Sequence, residues 1–436
     1  MLIIKMNLRK KIFLLLDKNH SISSAVDEIK KINEDDSYAT TFQEECIKNL
    51  LLHAKSTVPY YMNMKGTELE DFPVVNKVMM KEDINKFLSN ADLKIGKIRH
   101  TSGSTGIPFE IVQDIRKAKR IQAEVLYYRE ITGDELGNKF INLLSPARLS
   151  KSSKLNNYKQ NVISFNVKRM DSKTMEQLHD LLKRDKSITY MMGYASALEK
   201  IANYFEEKNY KEQYSVKAIV SSSEILTDKT MNQLKSIFKC PVFDRYSNED
   251  NGFIAQTDGE SRDFIVNRAS YYLEILKFDK DEKAEEGEVG RIVVTDLFNY
   301  AQPFIRYDTG DLGSCAIKNI NGSERTVITK LAGRISDVVY DTKNRPISTI
   351  GVGEELMYFS KIEQYQLIQH SINEFTLNII DKNRNYKDSQ YVEALQNLFG
   401  KDINVTIEYK DEIPTYDSGK FRRIICNYKA EGENVR

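Results

Sequence analysis

The chain has 436 residues, room for two or three domains and a substantial core. Lys and Arg total 64 against 63 Asp and Glu, a formal charge of +1, so no overall field favours nucleic acid or an anionic membrane. At 41% hydrophobic and 29% charged residues, the composition excludes a disordered chain.

The N-terminal stretch MLIIKMNLRKKIFLLLDKNH holds a basic cluster and the apolar run Ile12–Leu16. That run is shorter than the roughly seven residues of a secretory core. No run approaches the ~20 residues of a membrane span. An amphipathic helix packed on the protein is expected, in a protein that stays in the cytoplasm. Cys46, Cys240, Cys315 and Cys426 lie far apart, with no CxxC and no His at ligand spacing. They read as reduced structural thiols rather than a disulfide or zinc site.

Phe42, Cys46, Ile47, Leu50, Leu51 and Ala54 share one helical face, and Pro59 closes that helix. FPVVNKVMMKEDINKFLS reads as an extended Pro segment followed by a helix. FEIVQD reads as a strand and Ile115–Ile131 as a helix ended by Thr132-Gly133. Strand and helix then alternate. Ile188–Met191 precedes a helix with Leu198, Ile201, Ala202 and Phe205 inward. Val216–Val220 precedes SSSE and a helix from Thr227 with Met231, Leu234 and Ile237 inward. Thr227 can cap that helix and Asp228 suits its positive end. Pro241–Tyr246 is a further strand. This order predicts an α/β fold with a largely parallel sheet, whose ligands lie off the carboxyl ends of strands. From Tyr271, SYYLEILKF, EVGRIVVTDL and IRYDTGDLG read as strands. Beyond Gly333, YQLIQHS, EFTLNII, a helix over Val392, Leu395 and Phe399, and INVTIEY predict a small α+β domain.

Four loops are small, polar and turn-forming: TSGSTGIP (101–108), RYSNEDNG (245–252), RYDTGDLGS (306–314) and PTYDSGKFRR (414–423). Gly103 and Gly106 let the first loop turn so that its hydroxyls and amides can wrap an anion. It is neither a Walker A loop nor GxGxxG. Tyr246 beside Glu249 and Asp250 could stack a base and hold Mg2+. Asp311 could accept two ribose hydroxyls, and Lys420 could serve as a cation. Alone, the first three stretches read as readily as surface turns, and the Lys420 stretch reads more often as a basic surface patch.

Taken in order, these stretches resemble the adenylate-forming superfamily of acyl- and aryl-CoA ligases. The likeness is to the phenylacetate–CoA ligase branch, with its relatives named for capsular polysaccharide biosynthesis. HAKSTVPYY, DFPVVNKVMMKEDI, TSGSTGIP, SSSE, YSNEDNGFIA, RYDTGDLG, GRISD and PTYDSGKFRR carry the resemblance along nearly the whole chain. It implies an N-terminal adenylation domain over residues 1–333, with mixed sheets and helices. A mobile C-terminal domain over 334–436, joined by a hinge near Arg334–Val339, would carry the lysine loop. By the same resemblance Thr101, Ser102, Gly103, Ser104, Thr105 and Gly106 wrap the β- and γ-phosphates of ATP. Ser222, Ser223 and Glu224 line the adenine pocket and Tyr246 stacks on the ring. Asp311 holds the ribose, Arg334 grips ribose or phosphate, and Lys420 enters during adenylation. Asp250 takes the Mg2+-binding position, one methylene shorter than the usual Glu, and Glu249 could share that role.

The sequence departs from the pattern at Phe109, where the superfamily often has Lys, at Ser247 for Gly, and at Glu249 for Thr. The hinge position falls on Ser336 instead of an acidic residue or Lys. His100 is expected to pack or line the pocket rather than act as a base. The implied reaction joins a carboxylic acid to CoA through an acyl-AMP, with ATP and Mg2+ consumed or bound and AMP and pyrophosphate released. Transfer of the acyl or AMP group to an amine or hydroxyl, and a silent nucleotide-binding protein, are the competing readings. Dimers occur in that branch, so a homodimer is also an expectation. Neither the acid nor a general base for the second step can be named from the sequence.

Overall fold

The computed structural model describes residues 8–17, 20–101, 109–150, 154–334, 338–347, 349–356, 359, 361–414 and 421–428. A 12-stranded sheet dominates it. One half is parallel, in the spatial order Val162–Asn166, Lys139–Leu144, Ile188–Tyr194, Ala218–Ser222 and Val242–Asn248. Beyond Val242–Asn248 the sheet turns antiparallel through Gly252–Gln256, Phe264–Val266, Ser323–Arg334, Tyr307–Ile320, Gly290–Asp296 and Tyr271–Leu276. The short Val75–Asn76 adds parallel to Tyr307–Ile320.

The parallel half follows from its sequence. AIVSS at Ala218–Ser222 is apolar on successive residues, as a strand covered on both faces must be. Helices Ala195–Glu207 and Asp228–Phe238 lay Leu198, Ile201, Phe205, Met231 and Leu234 onto Met191, Ile219 and Val242 in one core. These are the helical faces expected from spacing. The Thr227 hydroxyl caps the second helix, accepting from Thr230 N at 3.2 Å. Tyr190, next to Met191, points the other way into a core with Phe140, Val220 and Phe243. Helix Ile115–Ile131 covers that side, with Tyr128 stacked on Phe253 and Arg129 over Phe140.

A four-stranded sheet ordered Asn404–Tyr409, Glu374–Ile380, Gln364–Gln369, Ile424–Cys426 forms the small C-terminal domain with helix Asp388–Phe399. Leu367, Phe375, Leu377, Tyr391 and Leu395 meet in its core. The expected β–β–α–β order is present. Ile424–Cys426 was not anticipated and adds parallel to Gln364–Gln369.

Other differences have physical causes. Leu8–Leu16 is helical, but Ile12, Leu15 and Leu16 of the apolar run are exposed, so these three side chains do not pack on the protein. Consecutive apolar residues wind around a helix instead of forming one face. Ser323–Arg334 was missed because its polar NGSERT start hides a long strand hydrogen-bonded to Tyr307–Ile320. The four cysteines are free thiols, and burial pushes Cys240 up to about 12. No helix among the described residues is long and apolar enough to cross a membrane.

Candidate active site

The parallel strands finish at Tyr194, Ser222 and Asn248, along the edge where open α/β sheets bind ligands. Tyr246 is buried at that edge. Its hydroxyl donates to Asp311 Oδ2 at 2.7 Å and lies 3.3 Å from Thr309 Oγ1. Burial, followed by the Asp311 charge, holds the phenol well above its ordinary pKa, so it remains a donor. Asp311 stands opposite Arg334 across the antiparallel pair, with Arg334 Nε 3.9 Å from Asp311 Oδ1. Pairing of Tyr307–Ile320 with Ser323–Arg334 brings Asp311 and Arg334 together, and Tyr246 reaches Asp311 from Val242–Asn248 in the same sheet.

The turn after Ala218–Ser222 lies beside them. Ser222 pairs in register with Arg245, and Ser223 takes a left-handed φ of 72°, unusual for a residue with a side chain. Glu224 is a bridge. Its Oε2 accepts from Ser196 N at 2.8 Å, at the positive start of helix Ala195–Glu207. Its Oε1 accepts from Phe421 N, also at 2.8 Å. Phe421 is the chain neighbour of Lys420. Two residues on, Arg423 Nη2 donates to Glu199 Oε2 at 2.9 Å. The small domain is therefore docked on the candidate adenine turn through the segment that leads into its last strand.

Asp250 is buried, accepting from Tyr307 Oη at 2.8 Å and Lys77 Nζ at 3.3 Å. The same ammonium is 5.3 Å from the centroid of the Phe109 ring, which is buried against Phe304. Where the resemblance leads one to expect a lysine, a phenyl ring carries an ammonium from elsewhere in the chain. Nothing in the sequence singles out Lys77; its only local mark is that Asn76 before it caps a helical turn, accepting from Met79 N at 3.0 Å. Glu249 faces other cations, pairing with Arg148 and, at 3.5 Å, with Arg99. Asp250 and Glu249 thus do not converge. Among the described residues no group of three or more His, Cys, Asp or Glu could hold a metal, which leaves Asp250 as a single carboxylate beside a lysine.

His100 does not pack in the core; its side chain is 61% exposed, with Nδ1 3.8 Å from Glu110. Thr101 ends Ile95–Thr101 and pairs with Phe109, so both ends of the small-residue loop are held side by side. Ser102, Gly103, Ser104, Thr105 and Gly106, the hinge position Ser336 and Lys420 lie outside the described residues.

Residues 339–427 match the CapK C-terminal domain family. Protein CapK of Staphylococcus aureus is 24% identical over 405 residues, covering 89% of this chain and 85% of that protein. A 2-hydroxyisobutyryl-CoA ligase structure in the postadenylation state superposes with a TM-score of 0.69 at 16% identity, over 88% of both chains. The same ligase with 2-HIB-AMP and CoA in the thioesterification state superposes at 0.55, with 16% identity, over 91% of this chain and 90% of that one. An anthranilate CoA ligase in complex with anthranoyl-AMP superposes at 0.55, with 14% identity, over 76% of this chain and 65% of that one.

Proposed function

From the adenylate-forming fold that the chain shares with these ligases, we propose that it activates a carboxylic acid with ATP as an acyl adenylate. The acyl group then passes to the thiol of CoA, with AMP and pyrophosphate as the other products. A carboxylate is a poor acylating agent until its oxygen is made a good leaving group. Its attack on the α-phosphate brings two anions together, so the site must present positive charge and fixed donors.

In this reading Asp311 accepts the ribose hydroxyls while the Tyr246 hydroxyl holds its other oxygen in place. The Tyr246 ring offers a stacking face to the adenine, walled by Ser222, Ser223 and Glu224. Arg334 reaches ribose or phosphate. The Thr101–Gly106 loop surrounds the β- and γ-phosphates, with Lys77 near its exit at Phe109. Asp250 would hold Mg2+ through its carboxylate, and the ion would supply neutralisation of phosphate charge. Lys420 contacts the acid and the α-phosphate, carried by a domain (334–436) that turns about residues 334–339 between the half-reactions. Its substrates place the reaction in the cytoplasm.

The observation that carries this reading is the bond from Phe421 N to Glu224, which holds the neighbour of Lys420 against the candidate adenine turn. The higher TM-score on the postadenylation state, 0.69 against 0.55, supports the same domain arrangement. The test is exchange of labelled pyrophosphate into ATP over a panel of carboxylic acids, followed by product mass with and without CoA. Some acid should drive exchange, CoA should convert its adenylate to a thioester, and Lys420→Ala should lose ~10²–10³ of the exchange rate. Undiminished exchange in that variant removes the lysine assignment. An amide or AMP-bearing product formed without CoA removes the thiol.

A further inference from the structure

Arg245 directly precedes Tyr246 on the strand Val242–Asn248 and is only 7% exposed. Its Nε donates to Gln256 Oε1 at 2.8 Å, its Nη1 lies 3.7 Å from Met192 Sδ, and its guanidinium covers the Phe253 ring at 4.2 Å. Its Nη2 makes no hydrogen bond of full geometry, with the Tyr190 hydroxyl the polar side chain that approaches the guanidinium. Burial lowers its pKa, and the neighbours that act on it are Tyr190, Tyr128 and Arg129, two phenols and a second cation. The charge of Arg129 is answered by Asp134, whose Oδ2 accepts from its Nε at 2.7 Å. The buried Glu124 lies in the field of Lys117 and Arg120. The Asp244 carboxylate accepts from Arg245 N at 3.1 Å and faces Arg262, so the Arg245 guanidinium itself is in no ion pair among the described residues.

Two further donors in the same place are unused. The Tyr190 hydroxyl is close enough to act on the guanidinium, yet neither it nor Nη2 has a bond of proper geometry, and Gln256 Nε2 is likewise unpaired. Buried donors and buried charge are strongly unfavourable unless something completes them. The location indicates what that is. Arg245 pairs with Ser222 on one side and Gln256 on the other, at the carboxyl edge of the parallel strands and beside the Ser221–Glu224 turn. Apolar Met192 and the Phe253 ring wall it.

We propose that Arg245 is a specificity-determining residue that receives a second carboxylate on the substrate, so that the acid activated here is a dicarboxylic acid. This rests on the adenylation reading above. A guanidinium with an open N–H edge and a phenol O–H beside it call for an acceptor-only, planar partner, and a carboxylate is that partner. A neutral tail in the same place would leave the charge buried and unanswered, so discrimination against monocarboxylic acids is built into the unliganded protein.

The experiment compares matched acids, one with and one without the second carboxylate: glutarate and pentanoate, phthalate and benzoate, a sugar dicarboxylate and its monocarboxylate. Pyrophosphate exchange and thermal shift are read for the wild type, Arg245→Met and Arg245→Lys. In the wild type the dicarboxylic member of at least one pair should lead by ~10²-fold or more in kcat/KM and alone raise Tm. Arg245→Met should abolish that lead and that shift while ATP KM stays within about twofold. Its own unliganded Tm should rise, because a buried unpaired charge has been replaced by an apolar chain of similar length. Arg245→Lys should keep part of the preference. Preference of the wild type for monocarboxylic acids, or a preference unchanged in Arg245→Met, overturns the assignment while leaving adenylation standing. If Arg245→Met gives no cooperative melt, the charge is structural and the assignment falls on that ground. Absence of exchange with every acid, together with no thermal shift from ATP, overturns the adenylation reading and this one with it.

Discussion

Arg423→Met tests whether the docked small domain is the arrangement in which the acid is activated. Arg423 lies in the segment that follows Lys420, and its bond to Glu199, at 2.9 Å, ties that segment to the large domain beside the Phe421–Glu224 bond. The paired side chains are 21% and 13% exposed, partly screened but far from free in water. A charge-assisted bond contributes roughly 1.5–3 kcal/mol, and the exposure argues for the low end, about 1.5–2 kcal/mol. At 1.36 kcal/mol per tenfold, the docked population and the exchange rate should fall about 10–30-fold. The assay is pyrophosphate exchange beside thioester formation from a supplied acyl adenylate. Exchange should fall by that factor while thioester formation changes less than about threefold, because the proposed turn of the small domain would break the tie. The charge-reversed pair Glu199→Arg with Arg423→Glu should recover most of the loss. Equal loss in both half-reactions together with a lowered Tm would mean that the pair only stabilises the fold, and the argument from docking would fail.

Asp311→Asn should lower kcat/KM for ATP by about 10²-fold, since it removes the charge expected at the ribose, and Tyr246→Phe by about 10-fold through loss of the 2.7 Å bond that orients that carboxylate. A variant Asp311→Asn with unchanged ATP dependence would exclude the ribose role. Asp244 is buried, and desolvation, opposed by Arg262, pushes its carboxyl up to about 6. The folded state therefore prefers the protonated acid. This contribution is complete below about pH 4 and is lost as pH rises through about 6. Asp244→Asn should flatten that fall and add up to about 3 kcal/mol at pH 7, read by denaturant unfolding across pH; a stability curve as steep as the wild type's would refute the shift.

Much of the site was legible in the sequence because it depends on local turn chemistry. Thr227 and Asp228 mark a helix start, RYDTGDLG a strand that presents Asp311, and the apolar run before SSSE a strand covered on both faces. Other features carried no local signal. Lys77 is a lysine among many until the chain folds it over Phe109 and onto Asp250. Glu249 looks like a site residue in the sequence, but it pairs with Arg148 and Arg99. The strand Ser323–Arg334 hid in polar residues because its stability comes from a long antiparallel partner, not from its own pattern.

By itself the sequence determined the alternation of strands and helices, the small terminal domain and the order of the polar loops, since periodicity and turn residues are properties of neighbouring positions. The tertiary structure alone decided which charges meet: Asp311 with Tyr246 and Arg334, Glu224 with Phe421, Asp250 with Lys77, and the Arg245 guanidinium in no ion pair among the described residues. Electrostatic pairing acts over a few ångströms in space between residues remote along the chain, and only the folded sheet brings those distances within range.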